Sequence, residues 1–587
     1  MDMPVIPITS DTLFSDIEHH FRVSAGPGAG KTHWLVEHIK NVLRHSTRIG
    51  NTRKIACITY TNIAVETILN RLGTSAEQVE VSTIHSFLYK NIVKPYAHFI
   101  SSDYELNVAK MDGHDDLIIG TKKTVTWIEN HPNRSSFSHP YTINQLTKLE
   151  TNKQGIIRWL ASIFYKFNQN YNLQIVSDRS EAYYIENGSR RMIAKACLDR
   201  LEPDLLGFKK LYWREGILHH DDVLFFSYQI IQKQPYVLEI LRTKFPYFFI
   251  DEFQDSSPIQ VEIVKKIGQI ETIVGIIGDK AQSIYGFQGA DNKQFMSFRL
   301  PNIKDYIMAD NRRSTNEIID ILNLVRKDMV QNKYRNQTGE RPILIIGDPI
   351  SSLKKAQILC GGGVVCSLSR VNITSNAMKK EVSGVNLNEN ILDQLKEIDS
   401  NKDRPRLITL CIKATELAHE KKIKDAIKEL QRFFGKNEEG KKRALKYLLL
   451  LVSKYDDYKD KTLMDFYNLV KAEIDNSLSG FRSGTVKDFY DNNRYQDLAL
   501  GVKIPEDVSL HKTIHKAKGD EFDNVLVVLH DEKEIGFLLN PDLEKEEHRV
   551  RYVAISRAKE MLFISSPTLG QTNFEALKTV LNVQFLQ

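Results

Sequence analysis

The most informative stretch of this sequence is Phe21-Arg-Val-Ser-Ala-Gly-Pro-Gly-Ala-Gly-Lys-Thr32. Its first residues predict a short apolar strand, and the residues from Trp34 to Leu43 predict an amphipathic helix. Glycines between a strand and a helix let successive backbone N–H groups converge on phosphate oxygens. The lysine then supplies a point charge, and the threonine supplies a hydroxyl for a magnesium ion. The stretch therefore predicts a P-loop that binds a nucleoside triphosphate.

The predicted nucleotide-binding residues follow from this motif. Lys31 is assigned to the phosphates and Thr32 to Mg2+. The motif strictly begins with glycine, and here an alanine stands at that position. The predicted loop consists of Ala25, Gly26, Pro27, Gly28, Ala29, Gly30, Lys31 and Thr32.

A P-loop enzyme needs a carboxylate at the end of a neighbouring buried strand to hold the metal, and a second acidic group to orient the attacking water. The segment Phe245-Pro-Tyr-Phe-Phe-Ile-Asp-Glu-Phe-Gln-Asp255 offers both. Residues 247–250 predict a fully buried strand that delivers Asp251 to the metal and Glu252 to the water. An apolar run ending in Asp-Glu occurs at many strand ends, so this interpretation depends on the P-loop beside it.

The composition predicts a large globular protein. The chain has 587 residues, 42% of them hydrophobic, and its 80 Lys and Arg against 74 Asp and Glu give a net charge of +6. This length predicts about three or four domains, and the composition excludes a disordered or collagen-like chain. The five scattered cysteines indicate neither a disulfide framework nor a zinc site. We find no apolar run of about 18 residues and no signal-peptide pattern, so we expect a cytoplasmic protein without a membrane partner.

Further segments resemble, in order and spacing, the motifs of UvrD/Rep-type superfamily 1A helicases. They are Cys57-Ile-Thr-Tyr-Thr-Asn62, Val81-Ser-Thr-Ile-His-Ser-Phe87, Asp251-Glu-Phe-Gln254, Gly278-Asp-Lys-Ala-Gln-Ser-Ile-Tyr285, Asn311-Arg-Arg-Ser-Thr315, Thr513-Ile-His-Lys-Ala-Lys-Gly519 and Tyr552-Val-Ala-Ile-Ser-Arg-Ala558. The resemblance implies an α/β fold with two RecA-like P-loop domains, whose parallel sheets are flanked by helices. Each domain is expected to carry a mostly helical insertion. The implied ranges are 1–95 and 206–300 for the first motor domain, 96–205 for its insertion, 301–384 and 501–587 for the second motor domain, and 385–500 for its reduced insertion.

The resemblance also implies roles for single residues. Gln282 corresponds to the sensor of the γ-phosphate, and Arg313 and Arg557 correspond to arginine fingers that stabilise the transition state. Gly519 and Glu521 are implied to approach the nucleotide. The implied contacts to a nucleic-acid strand are Thr59, Asn62, His85, Phe87, Phe287, Thr513 and His515. For the first four of these, an ordinary capping or core role stays open.

The sequence departs from the family near the predicted base of the nucleotide. Residues 1–24 contain no glutamine to read adenine, and Arg312 replaces the aromatic residue that stacks on the base. A guanidinium plane stacks in a similar way but with less base discrimination. ATP and Mg2+ are still the expected cofactors.

The leading hypothesis is an ATP-dependent helicase or translocase that moves 3′ to 5′ on single-stranded DNA, with or without a duplex junction. The resemblance alone implies the polarity. The chain is shorter between Thr315 and Thr513 than full-length family members, which motivates an alternative: a nucleic-acid-sensing regulatory ATPase that unwinds little. Trimmed helicases of this kind occur in Gabija-type antiphage defence, where the implied partner is a nuclease subunit of the OLD family. RNA is a weaker option, because nothing in the sequence reads a 2′-hydroxyl.

Overall fold

The computed structural model describes residues 4–116, 118–137, 142, 146–147, 150–186, 189–286, 289, 292–381, 391–399, 401, 403–503 and 509–586. The chain divides into two compact units. The first comprises Met1–Tyr184, Arg190–Gly339 and Pro541–Ser556, and the second comprises Ile185–Ser189, Glu340–Asn540 and Arg557–Gln587.

The strands of the described residues are β1 (Ile6–Pro7), β2 (Phe21–Ala25), β3 (Ile55–Thr59), β4 (Val79–Thr83), β5 (Ile163–Phe167), β6 (Leu173–Ser177), β7 (Tyr183–Glu186), β8 (Ser189–Met192), β9 (Tyr247–Ile250), β10 (Ile273–Gly278), β11 (Lys304–Met308), β12 (Asp310–Asn311), β13 (Asn332–Lys333), β14 (Ile343–Ile346), β15 (Val365–Ser369), β16 (His511–Thr513), β17 (Phe522–Val528), β18 (Ala558–Ser566) and β19 (Asn582–Phe585).

The first unit is built on a parallel sheet. Within the described residues its strand order is β1-β11-β2-β10-β9-β3-β4, and every pairing is parallel. Successive side chains of a strand point to opposite faces. Accordingly, Phe248 packs in one hydrophobic core with Ile276, and Phe249 packs in another with Trp34. Both faces are therefore covered, which explains why β9 is apolar throughout.

Helices supply the two covering layers of the first unit. Most of them have a buried apolar face and a polar face, as expected for helices packed on one side. The α-helices of five or more residues are Lys31–His45, Asn62–Leu72, Ile84–Leu88, Thr121–Glu129, Glu150–Ala161, Lys195–Leu201, Leu205–Trp213, His220–Lys233, Tyr236–Lys244, Pro258–Gly268, Asn292–Ser297, Asn316–Val325 and Glu546–Ile555.

The first insertion combines helices with strands. Strands β5 and β6 form an antiparallel pair with Ile163 opposite Ser177, and β7 pairs with β8. In β5, Ile163 and Tyr165 are buried while Phe164 and Lys166 are exposed. This alternation has the period of two that marks a strand with one buried face. The insertion is therefore helical as expected, with two short strand pairs among its helices.

The second unit contains its own parallel sheet. Among the described residues its order is β16-β15-β17-β18-β14-β19, with parallel pairings throughout. The insertion at 385–500 is helical where it is described and has a separate core that includes Leu407, Phe466 and Tyr495. The α-helices of five or more residues in this unit are Pro349–Leu359, Asn372–Lys380, Ile391–Ile398, Arg404–His419, Ile423–Phe434, Glu438–Ser453, Leu463–Glu473, Thr485–Asn492, Tyr495–Ala499 and Gln571–Leu577.

The predicted boundary at residue 301 lies too early in the chain. Strand β11 pairs with β2, with Met308 opposite Ala25, so it belongs to the first sheet. The first unit continues to Gly339 and also includes the later segment Pro541–Ser556. Sequence motifs mark functional positions, and this strand carries no motif that would have assigned it to the first sheet.

Candidate nucleotide site

The P-loop connects β2 to the helix Lys31–His45. Gly28 and Gly30 have φ values of +72° and +82°, a left-handed conformation that side chains with a Cβ rarely adopt. A Cβ atom at Gly30 would also lie 2.8 Å from the Cβ of Ser10. The turn therefore requires glycine at these positions, and it presents backbone N–H groups at the start of a helix, where anions bind.

The predicted loop residues lie together on this turn. Ala25 is the buried last residue of β2, while Lys31 and Thr32 open the helix and are half-buried. A phosphate group fits the concave backbone that the two left-handed glycines create. Thr32 then offers its hydroxyl at the same helix end.

The carboxylates follow β9, which lies two strands from β2, with β10 between them. Asp251 is 5% exposed, and its Oδ1 accepts a hydrogen bond of 2.9 Å from the backbone N–H of Glu252. Glu252 has a φ of +55°. A non-glycine residue in this region carries strain that is common at functional sites. Because parallel strands end at one edge of the sheet, Asp251 and Glu252 lie on the edge that bears the P-loop.

Gln282 follows β10 at the same edge. Its Nε2 donates to Asp279 Oδ2 at 2.7 Å, and both side chains are buried. The backbone N–H of Asp279 donates to Gln254 Oε1 at 2.9 Å, and Gln254 Nε2 donates to the carboxylate of Glu252. The proposed sensor and the proposed base are thus connected by hydrogen bonds.

The segment after β12 touches the P-loop directly. The backbone N–H of Arg312 donates to the carbonyl of Gly28 at 3.0 Å. Its guanidinium donates to Asp11 Oδ2 at 2.6 Å and lies 3.9 Å from the ring centre of Tyr334. Arg312, predicted to face a nucleotide base, therefore has an acid and an aromatic ring as neighbours.

Sequence reasoning missed Asp11 and Tyr334. Tyr334 is 54% exposed and supplies an aromatic ring close to the position where the family's aromatic residue is replaced by Arg312. No local pattern distinguishes it, because the contact joins residues that are remote in sequence. The one signal in the sequence is that Tyr334 is an aromatic residue in the segment that follows the motif at 311–315.

Arg313 is held on both its backbone and its side chain. Its N–H donates to Asn311 Oδ1 at 2.9 Å, and its Nη1 donates to the carbonyl of Ser556 at 2.8 Å. Its guanidinium is half-buried. The structure thus places one of the two predicted arginine fingers beside the P-loop, since the Arg313 Cβ lies 2.8 Å from the Cβ position of Gly28.

Two predicted strand contacts of the first unit are buried in the described conformation. Phe87 is 0% exposed and packs against Phe245 and Phe248, with ring centres 5.1 and 5.2 Å apart. Thr59 is buried at the end of β3. Neither side chain faces solvent, which agrees with the core alternative that the sequence left open for both.

The other predicted strand contacts of this unit differ in exposure. Asn62 is exposed at the start of its helix. His85 is half-buried beside His114 and His220. Burial lowers the pKa of His85 to about 4, with smaller contributions from the charges of His220 and His114. Phe287 lies outside the described residues.

The remaining predicted residues belong to the second unit. Arg557 is buried at the start of β18, and its Nη1 donates to the carbonyl of Asp520 at 3.2 Å. Glu521 is exposed and lies 3.3 Å from Lys559 Nζ, and Gly519 has a φ of +90°. The last two are Thr513, which is buried in β16, and His515, which is half-buried after it.

A magnesium ion fits the first unit as a hydroxyl and carboxylate site. Within the described ranges, no three His, Cys, Asp or Glu side chains come together as a metal centre. Magnesium instead keeps several waters and is held by one or two carboxylates together with substrate phosphates. Asp251 provides the carboxylate and Thr32 a hydroxyl, and the turn at Gly28 and Gly30 holds the phosphates. No helix of the described residues is long and apolar enough to cross a membrane.

Comparison with known proteins agrees with this geometry. Residues 10–301 match the family described as the UvrD/REP helicase N-terminal domain. The chain is 25% identical to the Gabija protein GajB of Bacillus cereus (strain HuB5-5) over 344 residues, which is 52% of this chain and 47% of that protein. It is 25% identical to the ATP-dependent DNA helicase PcrA of Leuconostoc citreum over 328 residues, which is 54% of this chain and 39% of that protein.

A longer match extends over nearly the whole chain. The chain is 22% identical over 637 aligned residues to the ATP-dependent DNA helicase PcrA of Staphylococcus aureus (strain Mu50 / ATCC 700699). The match covers 93% of this chain and 81% of that protein. The chain spans less than half the length of the two relatives named before it. The matched N-terminal domain contains the P-loop, Asp251, Glu252 and Gln282. Residues 10–301 belong to the UvrD/REP helicase family, and the chain as a whole is similar to helicases of that family.

Proposed function

We propose that this protein is an ATP-dependent DNA helicase that moves 3′ to 5′ along single-stranded DNA. One observation carries the proposal: the P-loop, the Asp251–Glu252 pair and Gln282 follow three adjacent strands and meet at one edge of the sheet. This is the arrangement that nucleoside triphosphate hydrolysis needs. The DNA substrate and the polarity rest on family resemblance, supported by the similarity to two PcrA helicases.

Each residue at this edge has a proposed task. The backbone of the P-loop and Lys31 bind the phosphates. Thr32 and Asp251 hold Mg2+, which offsets the negative charge of the triphosphate. Glu252 accepts a proton from the attacking water, and Gln282 contacts the γ-phosphate. Arg313 stabilises the charge that develops in the transition state, worth a factor of about 10³ to 10⁵ for an arginine finger. We assign the same role to Arg557 from its motif.

The nucleic-acid contacts form a second part of the proposal. Asn62 and His85 in the first unit, and Thr513 and His515 in the second, are proposed to contact the strand. Tyr285 and Tyr60 stack with ring centres 4.7 Å apart, and Tyr285 precedes Phe287 by two residues in the sequence. Stacked bases on such aromatic residues contribute about 1 to 3 kcal/mol each, with little sequence preference.

The central test measures ATP hydrolysis by the purified chain with single-stranded DNA, duplex DNA and RNA. We expect single-stranded DNA to stimulate hydrolysis most, and Lys31→Ala or Glu252→Gln to abolish the stimulated turnover. Lys40→Ala is the matched control, because Lys40 lies on the same helix and pairs at 2.9 Å with Glu37. Full turnover in either site variant would remove these assignments.

Unwinding is tested on a duplex with a single-stranded 3′ or 5′ tail. We expect strand separation only with the 3′ tail. Separation from the 5′ tail alone would overturn the proposed polarity, and ATP hydrolysis without any separation would favour a regulatory ATPase. The described residues contain no feature that favours this alternative over the helicase.

A nuclease partner is a separate proposal. It is supported by the similarity to the Gabija protein named above, and the family resemblance implies a subunit of the OLD family. Coexpression with candidate nucleases and size-exclusion chromatography test it. Comigration at a fixed ratio is the expected result, and separate elution of each candidate counts against it.

A further inference from the structure

A buried arginine outside the motifs named above is connected to the nucleotide site through Asp279. Arg326 follows the helix Asn316–Val325 and is 2% exposed. Its Nη1 lies 2.8 Å from Asp279 Oδ1, and its Nε donates to Asp328 Oδ1 at 3.0 Å. A buried guanidinium requires such partners, because an uncompensated charge in the interior is strongly destabilising.

One branch of contacts leads from Arg326 to the sensor. Asp279 uses one carboxylate oxygen for Arg326 and accepts Gln282 Nε2 on the other, at 2.7 Å. The orientation of this carboxylate therefore fixes the position of the Gln282 side chain. The Asp279 backbone continues through Gln254 to Glu252.

A second branch leads to the arginine finger of the first unit. The Arg326 guanidinium faces the hydroxyl of Tyr552, and its charge opposes the rise that burial causes in the pKa of this phenol. The same hydroxyl accepts a hydrogen bond from Gln331 Nε2 at 2.9 Å. Gln331 Oε1 in turn accepts Asn311 Nδ2 at 2.7 Å. The free end of that amide, Asn311 Oδ1, accepts the backbone N–H groups of Arg313 at 2.9 Å and of Ser314 at 3.0 Å.

We propose that Arg326 is a positioning residue for triphosphate hydrolysis, which holds the Gln282 side chain and the Asn311–Arg313 turn in one fixed arrangement. The inference rests on the proposed ATP hydrolysis. Its chemical basis is preorganisation: groups that stabilise a transition state are effective when they do not have to move during the reaction. A misplacement of about 1 Å far from the reacting atoms can lower the rate about 100-fold.

A purely structural role for Arg326 predicts a different result. It predicts a loss of stability with normal turnover in the molecules that stay folded. Arg404 is the matched control, because it is 6% exposed and its Nε and Nη2 donate to the two oxygens of Asp399 at 2.6 and 2.7 Å. It lies in the helical insertion, so Arg404→Gln removes a similar buried pair without touching the nucleotide site.

The experiment measures kcat and KM for ATP in the full chain, saturated with single-stranded DNA and corrected for the folded fraction. We expect Arg326→Gln to lower kcat by about 10- to 100-fold, with KM changed less than about threefold. Arg326→Lys should recover part of the loss, since it restores the positive charge. Arg404→Gln should keep the wild-type kcat.

A double variant shows whether Arg326 acts through Gln282. We expect the loss of kcat in the double variant Arg326→Gln with Gln282→Ala to be smaller than the product of the two single losses, because Gln282→Ala removes one of the two groups that Arg326 positions. Losses that multiply, or a wild-type kcat in Arg326→Gln, would overturn the inference. If Arg326→Gln does not fold, Tyr552→Phe replaces it, and a normal kcat there overturns the branch to Arg313.

Failure of the proposed function gives a separate result. In that case the wild-type chain and Lys31→Ala hydrolyse ATP at the same low rate, whatever residue stands at position 326. Wild-type turnover well above that of Lys31→Ala is therefore the condition under which the Arg326 variants are compared.

Discussion

The side-chain oxygen of Asn311 lies 2.6 Å from the position that a Cβ atom on Gly28 would occupy. The segment that carries Arg313 thus packs on the P-loop without room for one methyl group. Contact this close links the conformation of the phosphate cradle to that of the arginine segment. Gly28 is required both by its left-handed backbone and by this neighbour.

Gly28→Ala should therefore abolish ATP binding. The added Cβ clashes with the Asn311 side chain, so the P-loop and Asn311 must move apart. The backbone N–H groups of the P-loop then no longer converge on the phosphates. Gly362→Ala is the control, because Gly362 has a φ of +82° with nothing within 4 Å of its Cβ position. Both variants bear the strain of a left-handed residue, about 1 to 2 kcal/mol, and only the first has the clash. Titration with a fluorescent ATP analogue measures the difference, and equal affinity in the two variants would contradict it.

Tyr334→Ala should raise the KM for ATP about two- to fivefold and leave kcat unchanged. The ring of Tyr334 supports the Arg312 guanidinium, and a cation–π contact at an exposed site contributes about 0.5 to 1 kcal/mol. Tyr334→Phe keeps the ring and should behave as the wild type. Steady-state hydrolysis at varied ATP concentration tests both variants. A kcat reduced with unchanged KM would place Tyr334 in the chemical step instead.

The parts of the site that could be predicted are those whose chemistry is local in sequence. The P-loop and the Asp251–Glu252 pair combine a buried strand with the polar residues that follow it directly, so a few consecutive residues define them. Arg326, Tyr334 and Asp11 contribute through contacts between remote segments, and an isolated Arg, Tyr or Asp carries no local signal. For the same reason the sequence left the role of Phe87 open: its neighbours in sequence resemble strand contacts, while its neighbours in space are Phe245 and Phe248.

The fold shows the same limit. The parallel sheets follow from buried apolar runs such as Tyr247–Ile250, which predict strands covered on both faces. The pairing of β11 with β2 depends on which strands meet in space, and the sequence placed β11 in the wrong domain. In β5 the exposed residues Phe164 and Lys166 interrupt the apolar ones, so the strand has no continuous apolar run that would predict it.

The buried pair of Lys209 and Asp222 should contribute strongly to the stability of the first unit. Lys209 Nζ lies 2.7 Å from Asp222 Oδ1, and the same carboxylate accepts Trp213 Nε1 at 3.0 Å. Burial opposes its charge, but Lys209 and His219 hold the pKa of Asp222 below its ordinary value. Asp222→Ala leaves the ammonium buried without this partner and should cost about 3 to 5 kcal/mol.

A surface pair of the same unit is the control for this prediction. Lys123 and Glu215 lie 2.5 Å apart, with side chains 25% and 55% exposed. Glu215→Ala should cost less than about 1 kcal/mol, because solvent screens an exposed pair. Urea unfolding monitored by tryptophan fluorescence compares the two variants. Similar losses in both would show that the buried network contributes no more than a surface contact.

His38 should make the stability of the first unit sensitive to acid. Its ring is enclosed by Trp34, stacked at 5.0 Å, and by Phe14, Phe21 and Phe249, each with ring centres at 5.1 Å. Burial, with a smaller contribution from His19, lowers the pKa of His38 to about 3. In the unfolded chain the same ring titrates near its ordinary value of about 6.5.

The sign of the effect follows from proton binding. Between these two pKa values the unfolded state binds a proton at this position that the folded state does not, so stability is complete above about pH 6.5 and falls as the pH decreases towards 3. The slope from one such group is about 1.4 kcal/mol per pH unit. His38→Phe should remove this contribution, while His98→Phe, at an exposed position, should keep it. Urea unfolding at pH 5 and pH 7.5 measures the change, and an equal loss of stability at pH 5 in His38→Phe and the wild type would contradict the prediction.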